Sequence, residues 1–358
     1  MEQFERSDRA QARRPLCAAL DLGTNNCRLL VAEPTQDGFR VIDAFSRVVR
    51  LGQGLAHGNR LHEDAIDRAL SAIKVCAGKV RRHRAEQVRA VATEACRKAI
   101  NGYDFLERVA QETGLIFETI DAAEEARLAV RSCAPLLDPS TPHAIIFDIG
   151  GGSTEVMWVR VDAKGQTALV DHISIPLGVV ILSERYGCDR FSADVYRAMI
   201  DGFAEALVAF DLRHGIAQAV DANAVQMVGT SGTVTTLASL NMHLPRYNRA
   251  LVDGSYLKIA AARQVTEELL DLDHEGRVNN PCIGRDRADL VIPGCAAFDA
   301  ICEQWPVQRL RVADRGLREG MLLDLMSEQP SRRHGSGGQR NRSLSRATDE
   351  RGLDAPLN

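Results

Sequence analysis

An apolar run that ends in Asp-x-Gly occurs twice in this sequence, as CAALDLGTNNCRLLV from Cys17 and as HAIIFDIGGGSTEVMWV from His143. Each reads as a buried strand, a glycine turn and a second strand, and each is followed by a third strand, near residues 40–45 and in ALVDHISIPL. Helical and strand segments then alternate in both halves: LHEDAIDRALSAIKVCAGKV, VRAVAT and LIFETI in the first, a long helix over 192–214 and AVQMVGTSGTVTTLASL in the second. The pattern is a degenerate internal duplication of one α/β unit. Such a chain folds as two related halves, and the two Asp-Gly turns then face a common cleft.

The turns point to a ligand. Glycines let a backbone turn tightly and let a ligand approach its N–H groups, which is what an anion-binding concavity requires. Gly23, Thr24, Asn25 and Asn26 form one such turn, and Gly150, Gly151, Gly152 and Ser153 the other. Three consecutive glycines between apolar strands are costly to fold unless function needs them. Asp148, at a strand end beside its glycine turn, is placed to hold a magnesium ion, which takes one or two carboxylates plus phosphate oxygens. Glu155 shares the pleat side of Ser153 and is placed to support the metal or an attacking water, and Asp21 is the equivalent of Asp148 in the first half. A third glycine turn, 229–233, ends a strand and opens a helix, so Gly232 and Thr233 join the candidate ligand contacts.

Composition narrows the partners. A formal net charge of −4 over 358 residues gives no global attraction for a polyanion, so no nucleic-acid surface is expected and any phosphate site is local. No apolar run reaches the ~18 residues of a membrane span, and the opening MEQFERSDRAQARRP lacks the apolar stretch of a signal, so a cytoplasmic protein is expected. The nine cysteines are scattered, never in C-x-x-C pairs, and read as reduced core thiols. The histidines form no ligand spacing. Residues 1–15 and 328–358, the latter rich in Ser, Gly and Arg, read as disordered. Between them we place a first domain over 16–134, a break at LLDPSTP, a second domain over 135–313, and a closing helix over 314–327 that returns toward the first domain.

These motifs resemble the exopolyphosphatase/guanosine pentaphosphatase family of the actin-like ATPase superfamily, whose paired phosphate motifs read much like DLGTNN and DIGGGSTE. Further matches follow in the family's order: ATEACR (92–97), EEARL (124–128), IPLG (175–178), GTSGT (229–233) and DRGLREG (314–320), covering essentially the whole folded body. The resemblance implies an α/β fold of two actin-like (ribonuclease H-like) domains with the active site in the cleft between them. It implies hydrolysis of a terminal phosphoanhydride, of inorganic polyphosphate or of guanosine pentaphosphate in the stringent response, with Mg²⁺ or Mn²⁺ as cofactor and a homodimer as one assembly open to it. By the same resemblance Glu125 is the catalytic base, Arg97 a clamp on the terminal phosphate, Asn25 a phosphate contact and Arg287 a basic residue lining the cleft. Asp121-Ala122-Ala123 stands where the family commonly has a Ser-Gly turn, which alters the turn more than the base. Asp121 and Glu124 have the spacing of a capping box, in which Asp121 caps the helix and Glu124 reaches back to the cap amide, leaving Glu125 free. An actin-like nucleotide-binding regulator without catalysis is the reading from a different class.

Overall fold

The computed structural model describes residues 15–36, 38–187 and 189–327; both expected disordered ends fall outside these, apart from Pro15, as does Cys188. Strands β1 (Cys17–Leu22), β2 (Asn26–Thr35), β3 (Gly38–Val48), β4 (Gln87–Ala92) and β5 (Glu118–Thr119) form one sheet in the order β3-β2-β1-β4-β5. A second sheet contains β6 (His143–Ile149), β7 (Thr154–Val161), β8 (Thr167–Ile175), β9 (Val225–Thr230), β10 (Tyr256–Lys258) and β11 (Arg309–Ala313), ordered β10-β11-β9-β6-β7-β8. In each sheet the opening strand pairs antiparallel with the next and parallel with the strand that follows the first crossover. The duplication visible in the sequence is therefore a duplication of topology, and β10 is an addition at one edge.

Registers fix equivalent positions. In the first hairpin Leu22 pairs with Cys27 and Asp21 with Arg28; in the second Ile149 pairs with Thr154 and Asp148 with Glu155. Directly paired residues share a sheet face. Arg28 is thus the counterpart of Glu155.

The helix Glu63–His83 buries the stripe Ala65, Ile66, Ala69, Leu70, Ile73, Cys76 and Val80 against the first sheet, with Glu63 and Asp64 in its first turn and Arg81, Arg82 and His83 in its last, matching the helix dipole. The helix Ala122–Cys133 is wedged between sheets. Ala126, Ala129, Val130 and Cys133 pack on Ala144, Ile146, Met157 and Val228 of the second sheet, while Leu128 joins Ala19, Leu30 and Val91 of the first. The helix Leu317–Ser327 lays Met321 and Leu322 on that same face of the first sheet, and crosses so close that a side chain at Gly320 would overlap the Leu128 carbonyl.

Two elements differ from the reading of the sequence. LIFETI contributes only Glu118–Thr119, because β4 offers it just Val91 and Ala92 at the sheet edge. The long helix over 192–214 is two helices, Ala193–Asp201 and Ala204–His214, interrupted at Gly202 and Phe203, where glycine gives helical backbone little support. The eight described cysteines are buried, Cys27 and Cys76 having sulfurs 4.0 Å apart. Among the described residues no helix is long and apolar enough to cross a membrane.

Candidate active site

The glycine loops sit with their carbonyls tied back. In the first, Val49 and Arg50 N–H donate to the Asn25 carbonyl at 2.8 and 3.0 Å, and Gly52 N–H donates to that of Thr24 at 2.9 Å. In the second, the amides of Gly178, Val179 and Val180, where IPLG runs into the helix Val179–Tyr186, donate to the carbonyls of Gly152, Gly150 and Gly151 at 3.1, 2.9 and 2.9 Å. Oxygens are thereby turned away, and the amides of Thr24, Asn25, Gly151, Gly152 and Ser153 carry no hydrogen bond to another described residue. A pair of loops with spare N–H groups and occupied carbonyls is an anion cradle.

None of the glycines at 23 and 150–152 has positive φ. They serve close approach instead: a Cβ at Gly151 would come 3.1–3.2 Å from Asn25 and Thr24, and one at Gly152 would overlap Glu94 Oε2 and press on Thr24 Oγ1. The opposed loops therefore touch through bare backbone. Ser231, in the third turn, does have φ of 123°, a conformation few side chains adopt, while its Oγ accepts from Val234 N–H at the head of the helix Gly232–Asn241.

Between the loops lies a cleft of about 980 Å³, open mouth included. It is lined by residues 23–26, 150–153, Asp21, Asp148, Glu155, Glu125, Gly232, Thr233 and Arg287, so every ligand, metal and base candidate drawn from the sequence except Arg97 meets there. Arg97 is not among the lining residues. Its Nη1 donates to Glu125 Oε1 at 2.7 Å and to the Ile120 carbonyl at 2.5 Å, so this nitrogen is engaged with the candidate base.

Glu125 is buried in the first turn of its helix, a place where a glutamate is ordinarily solvated. The wedging of that helix between two sheets is the reason. Burial pushes its carboxyl up to about 7, the Arg97 contact pulls it down, and the charges of Asp21 and Glu94 push it up. Asp121 Oδ1 accepts from Glu124 N–H at 2.8 Å, so the cap is present. The reciprocal half of the capping box is not. Glu124 instead binds Arg127 at 2.6 and 2.8 Å and Arg89 at 2.8 Å, pairs that hold its carboxyl near 2, and Arg127 also reaches Asp324 of the closing helix at 2.5 Å. Two arginines compete better for a carboxylate than one amide does.

Acid dominates one end of the cleft. Burial raises Asp21, brings Asp148 up to about 6 and Glu155 to about 8, with Arg28 lowering both aspartates and the neighbouring carboxylates opposing ionisation of all three. Glu155 Oε1 accepts from Ser153 Oγ and, at 2.9 Å, from Ser174 Oγ, leaving Oε2 uncommitted. Among the described residues no three Asp, Glu, His or Cys side chains converge as a complete ligand set. That donor set fits magnesium, which takes few protein oxygens, and the crowding of desolvated carboxylates fits a divalent cation as counter-charge.

Two arginines, Arg28 and Arg287, line the same cleft. Arg28 has no carboxylate partner among the described residues, and Arg287 reaches only Thr236 Oγ1 at 3.4 Å. Burial and the charge of Arg28 both lower Arg287, and both also lower Arg318, which pairs with Glu319. Like charges held together in a dry site call for an anion. Arg28, Glu94 and Arg318 were not singled out in the sequence. The equivalence of Arg28 to Glu155 across the duplication was a signal for the first.

The sequence pattern of the Ppx/GppA phosphatase family matches residues 30–329. The chain is 29% identical over 316 residues to a protein of Photobacterium profundum named guanosine-5'-triphosphate,3'-diphosphate pyrophosphatase, covering 88% of this chain and 60% of that one. It is also 29% identical to exopolyphosphatase 2 of Mycobacterium tuberculosis over 321 residues, covering 86% and 98%. Among solved structures, the Aquifex aeolicus Ppx/GppA family member superposes with a TM-score of 0.72 at 28% identity, over 88% of this chain and 99% of that one. An exopolyphosphatase from Cytophaga hutchinsonii gives 0.77 at 24% identity, over 87% and 98%, a likeness of fold.

Proposed function

The chain belongs to the Ppx/GppA phosphatase family, and from that premise we propose that it hydrolyses the terminal phosphoanhydride of inorganic polyphosphate, releasing orthophosphate. The observation that carries the reading is the pairing of spare-amide loops with a buried, proton-accepting Glu125 in one cleft. The loops bind the terminal phosphate, and Glu125 takes a proton from water as its oxygen bonds to phosphorus. The bridging P–O bond breaks, and its electron pair leaves with the shortened chain. Charge on the transferred group is met by the loop amides and by Arg28, while Arg287 faces the rest of the chain. Asp148, with Glu155 or Asp21 in support, would hold Mg²⁺ or Mn²⁺, which supplies counter-charge to phosphate oxygens when bound. Arg97 acts through Glu125, orienting its carboxylate.

Polyphosphate is favoured over guanosine pentaphosphate by the cleft wall. Among its described lining residues there is no aromatic ring on which a guanine would stack, and the Ser231–Thr236 side offers small residues and Arg287 to a repeating anion. The name of the Photobacterium relative supports the nucleotide as the second reading. Phosphate release from polyphosphate, guanosine pentaphosphate and ATP, compared at equal concentration of terminal phosphate, decides between them. A kcat/KM for the nucleotide equal to or above that for polyphosphate overturns the substrate, and silence on all three overturns the hydrolase.

A further inference from the structure

Glu94 follows β4, opens the short helix Glu94–Lys98 and lines the cleft, yet has no part in the chemistry described so far. It is 5% exposed. Its Oε1 is ion-paired with Lys98 one turn along, and its Oε2 has no hydrogen-bond partner among the described residues. Buried polar atoms are nearly always satisfied, so an orphaned carboxylate oxygen marks a place where a donor is missing. Its place is the seam between the loops: the missing side chain of Gly152 is what makes room for Oε2, with Thr24 Oγ1 alongside. A second orphan, Asn25 Oδ1, lies at the same seam, where Asn25 abuts Gly151. The seam thus holds two acceptors that no described donor reaches, and Glu94 is near enough to Glu125 for its charge to be felt there.

The reaction proposed above brings such a donor. Attacking water carries two protons, and Glu125 takes one. We propose that Glu94 is a further catalytic residue, whose Oε2 accepts the hydrogen bond of the water's other proton and so aims the oxygen lone pair at phosphorus. That proton stays on the oxygen as the O–P bond forms and the bridging P–O bond breaks, and it leaves on the released orthophosphate. The inference rests on the hydrolase reading of the site.

Glu94→Gln puts a neutral amide at the seam without changing size, and Glu94→Asp keeps the charge but withdraws the oxygen. Losing one hydrogen bond to a charged acceptor in the transition state corresponds to a kcat lower by roughly tenfold to a hundredfold. The KM for polyphosphate should stay within threefold, by the order-of-magnitude expectation for a contact made to water and not to substrate. The charged groups acting on Glu125 are Arg97, Asp21 and Glu94, with Glu155 nearby. Removing the Glu94 charge therefore moves the acid limb of kcat/KM to lower pH in Glu94→Gln and leaves it in place in Glu94→Asp. The limb reports the charge beside Glu125, whereas the fall in kcat at unchanged KM in both variants reports the lost hydrogen bond to water, and a packing role would move stability or KM along with kcat. Full turnover in Glu94→Gln, or an unmoved limb, overturns the proposal while wild-type phosphate release keeps the hydrolase reading standing. A wild type silent on every anhydride overturns both. If Glu94→Gln does not fold, a Glu94→Asp variant of undiminished kcat overturns it equally.

Discussion

Replacing Glu125 by Gln should destroy turnover and strengthen the fold at once, because the same burial produces the base and penalises its charge. The carboxyl lies at about 7 where an ordinary glutamate lies at 4.5. A carboxylate raised in the folded state favours folding below its unfolded value, and that contribution is lost as pH rises through the folded one. Above pH 7 the gap corresponds to about 3 kcal/mol against the fold, shrinking to under about 1 kcal/mol at pH 5. Gln carries no charge to desolvate and keeps an oxygen for Arg97 Nη1, which now donates at 2.7 Å. Urea unfolding without added metal should then find the variant more stable by at most about 3 kcal/mol at pH 8, reduced somewhat because Arg97 loses a charged partner, and nearly equal to wild type at pH 5. A general base accounts for roughly 10² to 10⁴ in rate, so kcat should fall by that factor while polyphosphate binding stays within several-fold. The reasoning is refuted if the stability difference is the same at both pH values, or if turnover falls less than about tenfold.

Arg97→Met removes the contact that pulls Glu125 down, so the acid limb of the pH–rate profile should move to higher pH and activity at pH 6 should fall more than at pH 8. An unmoved limb would detach Arg97 from the base. Asp148→Asn should raise the Mg²⁺ concentration for half-maximal turnover by roughly tenfold or more, and an unchanged metal titration takes the residue out of the cation site. Ser231→Gly relieves a backbone at φ 123° and should stabilise the fold by about 1 kcal/mol in thermal or urea unfolding, a loss of stability counting against strain at that turn.

What the sequence made legible was whatever depends on local pattern or on the duplication. Strand-glycine-strand units needed only alternating apolar residues and a turn, and they located the cradle, Asp21, Asp148 and Glu155 together. Contacts between distant segments were beyond that reach. Arg97 and Glu125 meet because β4 and the wedged helix Ala122–Cys133 adjoin in three dimensions, and no spacing encodes that an arginine will turn to a carboxylate 28 positions away. Glu124 escaped for a similar reason: the capping-box spacing is local, whereas its competitors Arg89 and Arg127 owe their positions to a neighbouring strand and to its own helix's next turn. The glycines illustrate the remaining gap. Their number signalled function, but the reason they must be bare, that Thr24 and Asn25 of the opposite loop and Glu94 after β4 press on them, exists only once two halves of the chain face each other. The duplication also carries an asymmetry: the hairpins place Glu155 and Arg28 at equivalent positions, one acidic and one basic, so the two halves of a symmetric fold bring opposite charges to the same cleft.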